Sequence, residues 1–142
     1  DAYAAVVPAF LDAALAGRDI PVNGDGLQSR DFTYVGDVVD VLAEVALGGL
    51  DSARPVNLAF GRRWTLLDVI AELETLLGRS LDVIFGPDRP GDVRHSQADP
   101  SGLEQLLGTR NPVELGPGLV RTLAWWDPDG ATTDGASAPD PA

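Results

Sequence analysis

With 142 residues, 44% hydrophobic and 23% charged, the chain is long enough for one modest core, and a single domain is expected. Its formal net charge of −12 argues against a nucleic-acid surface, because binding to a phosphate backbone needs clustered cations. The absence of cysteine excludes disulfides and thiolate metal sites and suits a reducing cytoplasm, no metal site is expected, and no apolar run approaches a membrane span.

Along the chain, Ala4 to Ala16 reads as a helix, with Val7, Phe10, Leu11 and Ala14 at 3-4 spacing, Pro8 within its first turn and Gly17 ending it. Ile20 to Asn23 is a short strand leading into the Gly24-Asp25-Gly26 turn. The following run alternates, placing Phe32 and Tyr34 on one face and Thr33 and Val35 on the other, which predicts a strand with Arg30 at its mouth. Asp37 is expected to cap a helix lined by Val38, Val41, Leu42 and Val45 and stopped by Gly48-Gly49. Pro55 to Ala59 reads as another strand.

Thr65, with Asp68 three residues later, is close to a capping box, and Leu66, Val69, Ile70, Leu73, Leu76 and Leu77 form a full apolar stripe closed by Gly78. Leu81 to Phe85 reads as a strand, and residues 89–98 as a loop or edge strand. Asp99-Pro100 is read as the cap and first residue of a short helix carrying Leu103, Leu106 and Leu107 and ended by Gly108. Leu119, Leu123 and Trp126 predict a last amphipathic helix whose tryptophans pack on the core. From Asp127 the chain turns to Asp, Gly, Ala, Pro, Ser and Thr, so the expected organisation is a folded unit over 1–126 and a disordered tail over 127–142.

One segment concentrates chemistry. Arg89-Pro90-Gly91-Asp92-Val93-Arg94-His95-Ser96-Gln97-Ala98-Asp99 sets arginines, carboxylates, a histidine and a serine on a backbone stiffened by Pro90 and bent at Gly91. A guanidinium grips phosphate with a planar fork, and a nearby carboxylate accepts from sugar hydroxyls, so the segment fits a phosphorylated sugar. Arg-Pro-Gly-Asp is also an ordinary turn, and surface arginines commonly pair with surface acids. In an acidic chain any anion must be held by a few local donors acting within a Debye length of about 8 Å, and Arg30, Arg89 and Arg94 are the donors these motifs offer.

The run from Gly24 to Val39, the run Val56-Asn57-Leu58-Ala59-Phe60-Gly61 before a leucine-rich helix, and Arg89 to Asp99 before Leu106-Leu107-Gly108 together resemble, in that order, the NAD-dependent epimerase/dehydratase family of extended short-chain dehydrogenases. The resemblance covers about residues 3 to 126. It implies an α/β fold: the small C-terminal substrate-binding lobe of such an enzyme, similar to UDP-glucose and UDP-N-acetylglucosamine 4-epimerases, with the Rossmann half absent from this chain. It makes Arg30 and Arg89 the pyrophosphate arginines and Asp92 the acceptor for ribose hydroxyls. Pro21 and Asn23 lie on the strand that flanks the base; Asn23 stands where an aromatic is common, which leaves the base open. Ser96 falls where a bulky residue closes the sugar pocket and a small one admits an N-acetyl group. His95, the chain's single histidine, is read as a hydrogen-bonding residue rather than a base.

The chain lacks a glycine-rich dinucleotide fingerprint and contains no lysine, so it has no Tyr-x-x-x-Lys. The resemblance therefore implies that the NAD site and the catalytic residues lie outside this sequence and that the chain supplies binding without catalysis. A 4,6-dehydratase or decarboxylase part, or a stand-alone nucleotide-sugar-binding or interaction module, is the alternative. The implied partners are a nucleotide-diphosphate sugar, the Rossmann part of the same protein and a second copy in a homo-oligomer, with neither nucleic acid nor membrane. A lobe parted from its Rossmann half is expected to expose apolar surface, giving self-association or partial disorder of the first helix.

Overall fold

The computed structural model describes residues 5–127. Five helices and four short strands follow in the order α1 (Val6–Leu15), β1 (Ile20–Asn23), β2 (Ser29–Arg30), α2 (Val35–Gly48), β3 (Trp64–Thr65), α3 (Leu66–Leu77), β4 (Val83–Gly86), α4 (Ser101–Leu107) and α5 (Leu115–Trp126). The fold is α/β with two small sheets. Strands β1 and β4 pair in parallel from Ile20 opposite Val83 to Asn23 opposite Gly86. Strands β2 and β3 pair antiparallel, Ser29 opposite Thr65 and Arg30 opposite Trp64.

The core gathers Phe10, Leu11 and Ala14 of α1, Ile20 and Val22 of β1, Val69, Ile70 and Leu73 of α3, Leu81, and Leu115 and Leu119 of α5, all buried. Each large side chain there contributes about 1.5–3 kcal/mol by leaving water. Helix α3 anchors it. Thr65 Oγ1 accepts the Asp68 N–H at 3.1 Å, the Asp68 carboxylate accepts the Thr65 N–H at 2.8 Å, and Gly78 ends the helix at φ +66°. The capping box and stripe read from sequence are both present.

Several expectations are corrected. The strand expected through Phe32 and Tyr34 ends at Arg30, because the backbone turns into α2 at Val35. Asp37 lies within the first turn of α2 instead of capping it, and its carboxylate accepts the Val113 N–H at 2.9 Å. Leu42, placed on the inward face, is 57% exposed, and Val41 alone of α2 is buried. Residues 55–59 adopt no strand: a strand needs a neighbour for its ladder bonds, and no described segment pairs with this one. Strand β4 begins at Val83, two residues later than expected, and Leu81 still enters the core. Helix α4 starts at Ser101, with the Asp99 carboxylate accepting the Ser101 N–H at 2.9 Å from outside the helix.

The expectation for the tryptophans also fails. Trp125 is 76% exposed and Trp126 39%, because Leu115 and Leu119 take the core-facing positions of α5 and its last turn runs past the core. The first helix is formed over 6–15, and exposed apolar side chains include Val35, Val39, Leu42 and Leu47 of α2 as well as Ile84 and Phe85 of β4. The tail expected to be disordered lies, beyond Asp127, outside the described residues. Among the described residues no helix is long and apolar enough to cross a membrane.

Candidate functional site

The site grows from the turn after β1. Gly24 and Gly26 both hold positive φ, +73° and +76°, and a side chain on Gly26 would meet Leu67 at 2.7 Å, so glycine is needed there for conformation and for space. The turn returns the chain as β2, which is clasped on both sides. On one side lies β3. On the other, the Ser29 N–H donates to Arg94 O at 2.9 Å and the Ser96 N–H to Ser29 O at 3.0 Å, which docks the Arg89 to Asp99 segment against β2. His95 reinforces this join: its Nδ1 lies 2.9 Å from Oγ of the buried Ser29. Asp31 adds another tie, its carboxylate accepting the Gly61 N–H at 3.0 Å and the Ala98 N–H at 3.3 Å.

This docking brings two distant stretches of sequence to one cavity of about 390 Å³. Pro21, Asn23, Arg30, Arg89 and Asp92 all line it, together with Gln28, Leu66 and one face of α1 that carries Val6, Ala9 and Phe10. Five of the six residues singled out from sequence therefore share one cavity. Ser96 is exposed and outside its lining.

The walls differ in chemistry. The Ile20 N–H donates to Asp82 O at 2.7 Å and the Gly24 N–H to Gly86 O at 3.0 Å. Strand alternation therefore turns the Pro21 carbonyl and the Asn23 N–H to the opposite edge of β1, on the cavity side. Proline costs nothing there, because that edge carries no ladder bond for it to donate. Asn23 O accepts from Gln28 Nε2 at 2.7 Å. Gln28 was not singled out, although a two-residue period from Arg30 places it on the same strand face. It is 7% exposed, and its Oε1 is buried without a partner among the described residues.

Arg30 is held by backbone and by charge. Its Nη1 donates to Ser29 O at 2.8 Å and to Val93 O at 2.6 Å, while Nη2 pairs with the Asp92 carboxylate. Arg89 projects from the exposed side of the same turn, whose Asp92 N–H closes on Arg89 O at 3.0 Å. Arg94, the third candidate donor, turns away and is not in the lining. Its guanidinium grips Asp25 with both terminal nitrogens, at 2.9 and 2.7 Å. That pairing lowers the Asp25 carboxyl below the ordinary carboxylate range, helped by the Leu27 N–H, and raises Arg94.

A second cavity of about 270 Å³ lies between α1, Phe32 to Val35 and α5. It is lined mainly by apolar groups such as Val7, Phe32, Val113 and Leu119, with no cation in its lining to hold an anion. The cavity lined by both Arg30 and Arg89 is the candidate site, with a backbone donor and acceptor at one end and guanidinium groups at the other. The glycine turn after β1 opens into another strand, so no helix N-terminus stands there to receive a pyrophosphate. Among the described residues no cluster of His, Cys, Asp and Glu could hold a metal ion.

Comparison with known proteins agrees with the sequence resemblance. The model of the NAD dependent epimerase/dehydratase family matches residues 1–59. The chain is 30% identical over 123 residues to a UDP-glucose 4-epimerase of Mycolicibacterium smegmatis, covering 87% of this chain and 39% of that protein. Among solved structures it resembles UDP-N-acetylglucosamine 4-epimerase from Methanobrevibacter ruminantium M1, in complex with UDP-N-acetylmuramic acid, with TM-score 0.81 and 32% identity over 89% of this chain and 40% of that one. It also resembles an NAD-dependent NDP-hexosamine 5,6-dehydratase of tunicamycin biosynthesis, with TM-score 0.77 and 34% identity over 87% of this chain and 40% of the other. The chain thus spans about 40% of the length of these relatives.

Proposed function

We propose that the chain, whose residues 1–59 match the model of the NAD dependent epimerase/dehydratase family, is the C-terminal nucleotide-sugar-binding lobe of a 4-epimerase of that family acting on a UDP-hexose or UDP-N-acetylhexosamine. The observation that carries this reading is the convergence of Pro21, Asn23, Arg30, Arg89 and Asp92 on one cavity. The backbone edge of β1 suits the donor and acceptor edge of a base, Arg30 and Arg89 suit a diphosphate, and Asp92 suits the ribose between them. In the intact enzyme NAD would accept and return a hydride; its site and the catalytic groups belong to a Rossmann part outside this sequence. The lobe supplies grip. Anchoring the nucleotide firmly while the sugar remains free to turn is what epimerisation needs, since remote binding energy positions the reacting centre.

The same lobe serves a 4,6-dehydratase or decarboxylase equally well, and the likeness to a hexosamine dehydratase keeps that second reading in play. A stand-alone binding module is the remaining alternative, and an upstream coding sequence with a glycine fingerprint and a Tyr-x-x-x-Lys would exclude it. Ser96 bears on the sugar: in the intact enzyme a Ser96→Tyr variant should lose kcat/KM for the N-acetylhexosamine relative to the plain hexose. A homo-oligomer acting in the cytoplasm completes the proposal.

Calorimetric titration of the chain with UDP tests the ligand class. Arg89→Ala should remove a charge-assisted contact of about 1.5–3 kcal/mol, and the affinity should fall as salt rises. An Arg89→Ala variant that binds UDP as tightly as the wild type would overturn the assignment.

A further inference from the structure

Arg94 turns away from the cavity, yet it ties the cavity's two ends together. Its carbonyl accepts the Ser29 N–H at 2.9 Å, which docks its segment on β2. Its guanidinium reaches the turn between β1 and β2 and grips both oxygens of Asp25, at 2.9 and 2.7 Å. Asp25 is itself fixed on that turn, where its Oδ1 accepts the Leu27 N–H at 2.9 Å. The turn leads directly out of Asn23 and the β1 edge, and Arg94 follows Asp92 on the segment that carries Arg89. The pair therefore joins the backbone edge at one end of the cavity to the guanidinium end. Both side chains are about half exposed, and a single-point contact between such groups is worth little. A two-bond fork differs, because it fixes orientation as well as distance.

We propose that Arg94 and Asp25 are positioning residues whose fork sets the spacing between the β1 edge and the arginines of the cavity. This rests on the reading of the cavity as a nucleotide-sugar site. A ligand that touches both ends benefits when their spacing is set in advance, because its second contact then forms at little further ordering cost; a ligand that touches one end does not. The effect separates cleanly from that of the surrounding field. Neutralising Asp25 makes an acidic chain less acidic and, on charge alone, helps an anion bind, whereas neutralising Arg94 hinders it. Loss of the fork weakens a two-ended ligand in both cases.

The test titrates the full chain with UDP, uridine and inorganic pyrophosphate in wild type, Asp25→Asn, Arg94→Gln, the double variant and Arg94→Lys, followed by NMR with folding checked by circular dichroism. The Asp25→Asn side chain can still accept the Leu27 N–H, so the turn survives. Asp25→Asn and Arg94→Gln should each weaken UDP binding by about 3- to 10-fold, and the double variant by no more than either alone, as expected for two halves of one interaction. Arg94→Lys, which keeps the charge without the fork, should fall between wild type and Arg94→Gln. Uridine affinity should stay within about 2-fold throughout, while pyrophosphate should bind slightly more tightly to Asp25→Asn and slightly more weakly to Arg94→Gln. UDP affinity that is unchanged or higher in Asp25→Asn, or losses as large for uridine and pyrophosphate as for UDP, would overturn the positioning role and leave the nucleotide site standing. A wild type that binds none of the three would overturn the site itself and the proposal with it.

Discussion

Helices α2 and α3 look alike in sequence, both with apolar residues at 3-4 spacing and a glycine at the end, yet they do opposite things in the fold. Helix α3 buries Leu66, Val69, Ile70 and Leu73 and is closed at both ends by side chain and glycine. Helix α2 buries Val41 alone and leaves Val35, Val39, Leu42 and Leu47 between 57% and 90% exposed. Periodicity specifies a helix with an apolar face but does not say what will cover that face. Here α3 is covered by this chain, while most of the apolar face of α2 is left exposed among the described residues. The unpaired run at 55–59 belongs with α2 in this respect.

The contrast is breakable by substitution. Leu73→Ala should destabilise the chain by about 2–5 kcal/mol in a urea titration, because it opens a cavity in the core. Loss of the cap by Thr65→Ala should cost about 0.5–2 kcal/mol in the same measurement. Leu42→Ser should change stability by no more than about 0.5 kcal/mol while reducing self-association in sedimentation velocity, since it touches only exposed surface. An α2 substitution as damaging as Leu73→Ala would mean that the helix is covered within this chain.

The smallest effect concerns the pair that turned away from the cavity. Arg94 holds the Asp25 carboxyl below its ordinary value, so the contact stabilises the fold above the unfolded-state value and is lost as pH falls through the lower folded-state one. The difference in thermal midpoint between wild type and Asp25→Asn should therefore shrink as pH drops below about 4. A difference that stays constant down to pH 2 would show that the pair adds nothing.

What the sequence made legible was local. Thr65, Asp68, the leucine stripe and Gly78 lie on one continuous stretch, and α3 follows from them directly. Arg30 and Asp92 are 62 residues apart, and a family resemblance, not spacing, put them in one site. Arg94 sits in the same motif as Asp92, yet one residue faces the cavity and the other Asp25, because docking against Ser29 fixes which way each side chain turns. Gln28 could have been found from the two-residue period to Arg30. The exposure of Trp125 could not, since it depends on where the core ends along α5.

The central claim is that the β1 edge and the Arg30–Asp92 cavity form one nucleotide site. It is tested most directly by following backbone amide signals in NMR while UDP is added to the chain. The account predicts shifts concentrated in residues 20–35 and 89–99, lost together when Arg30 is replaced by alanine. Shifts confined to other residues, or a pattern unaffected by Arg30→Ala, would contradict it.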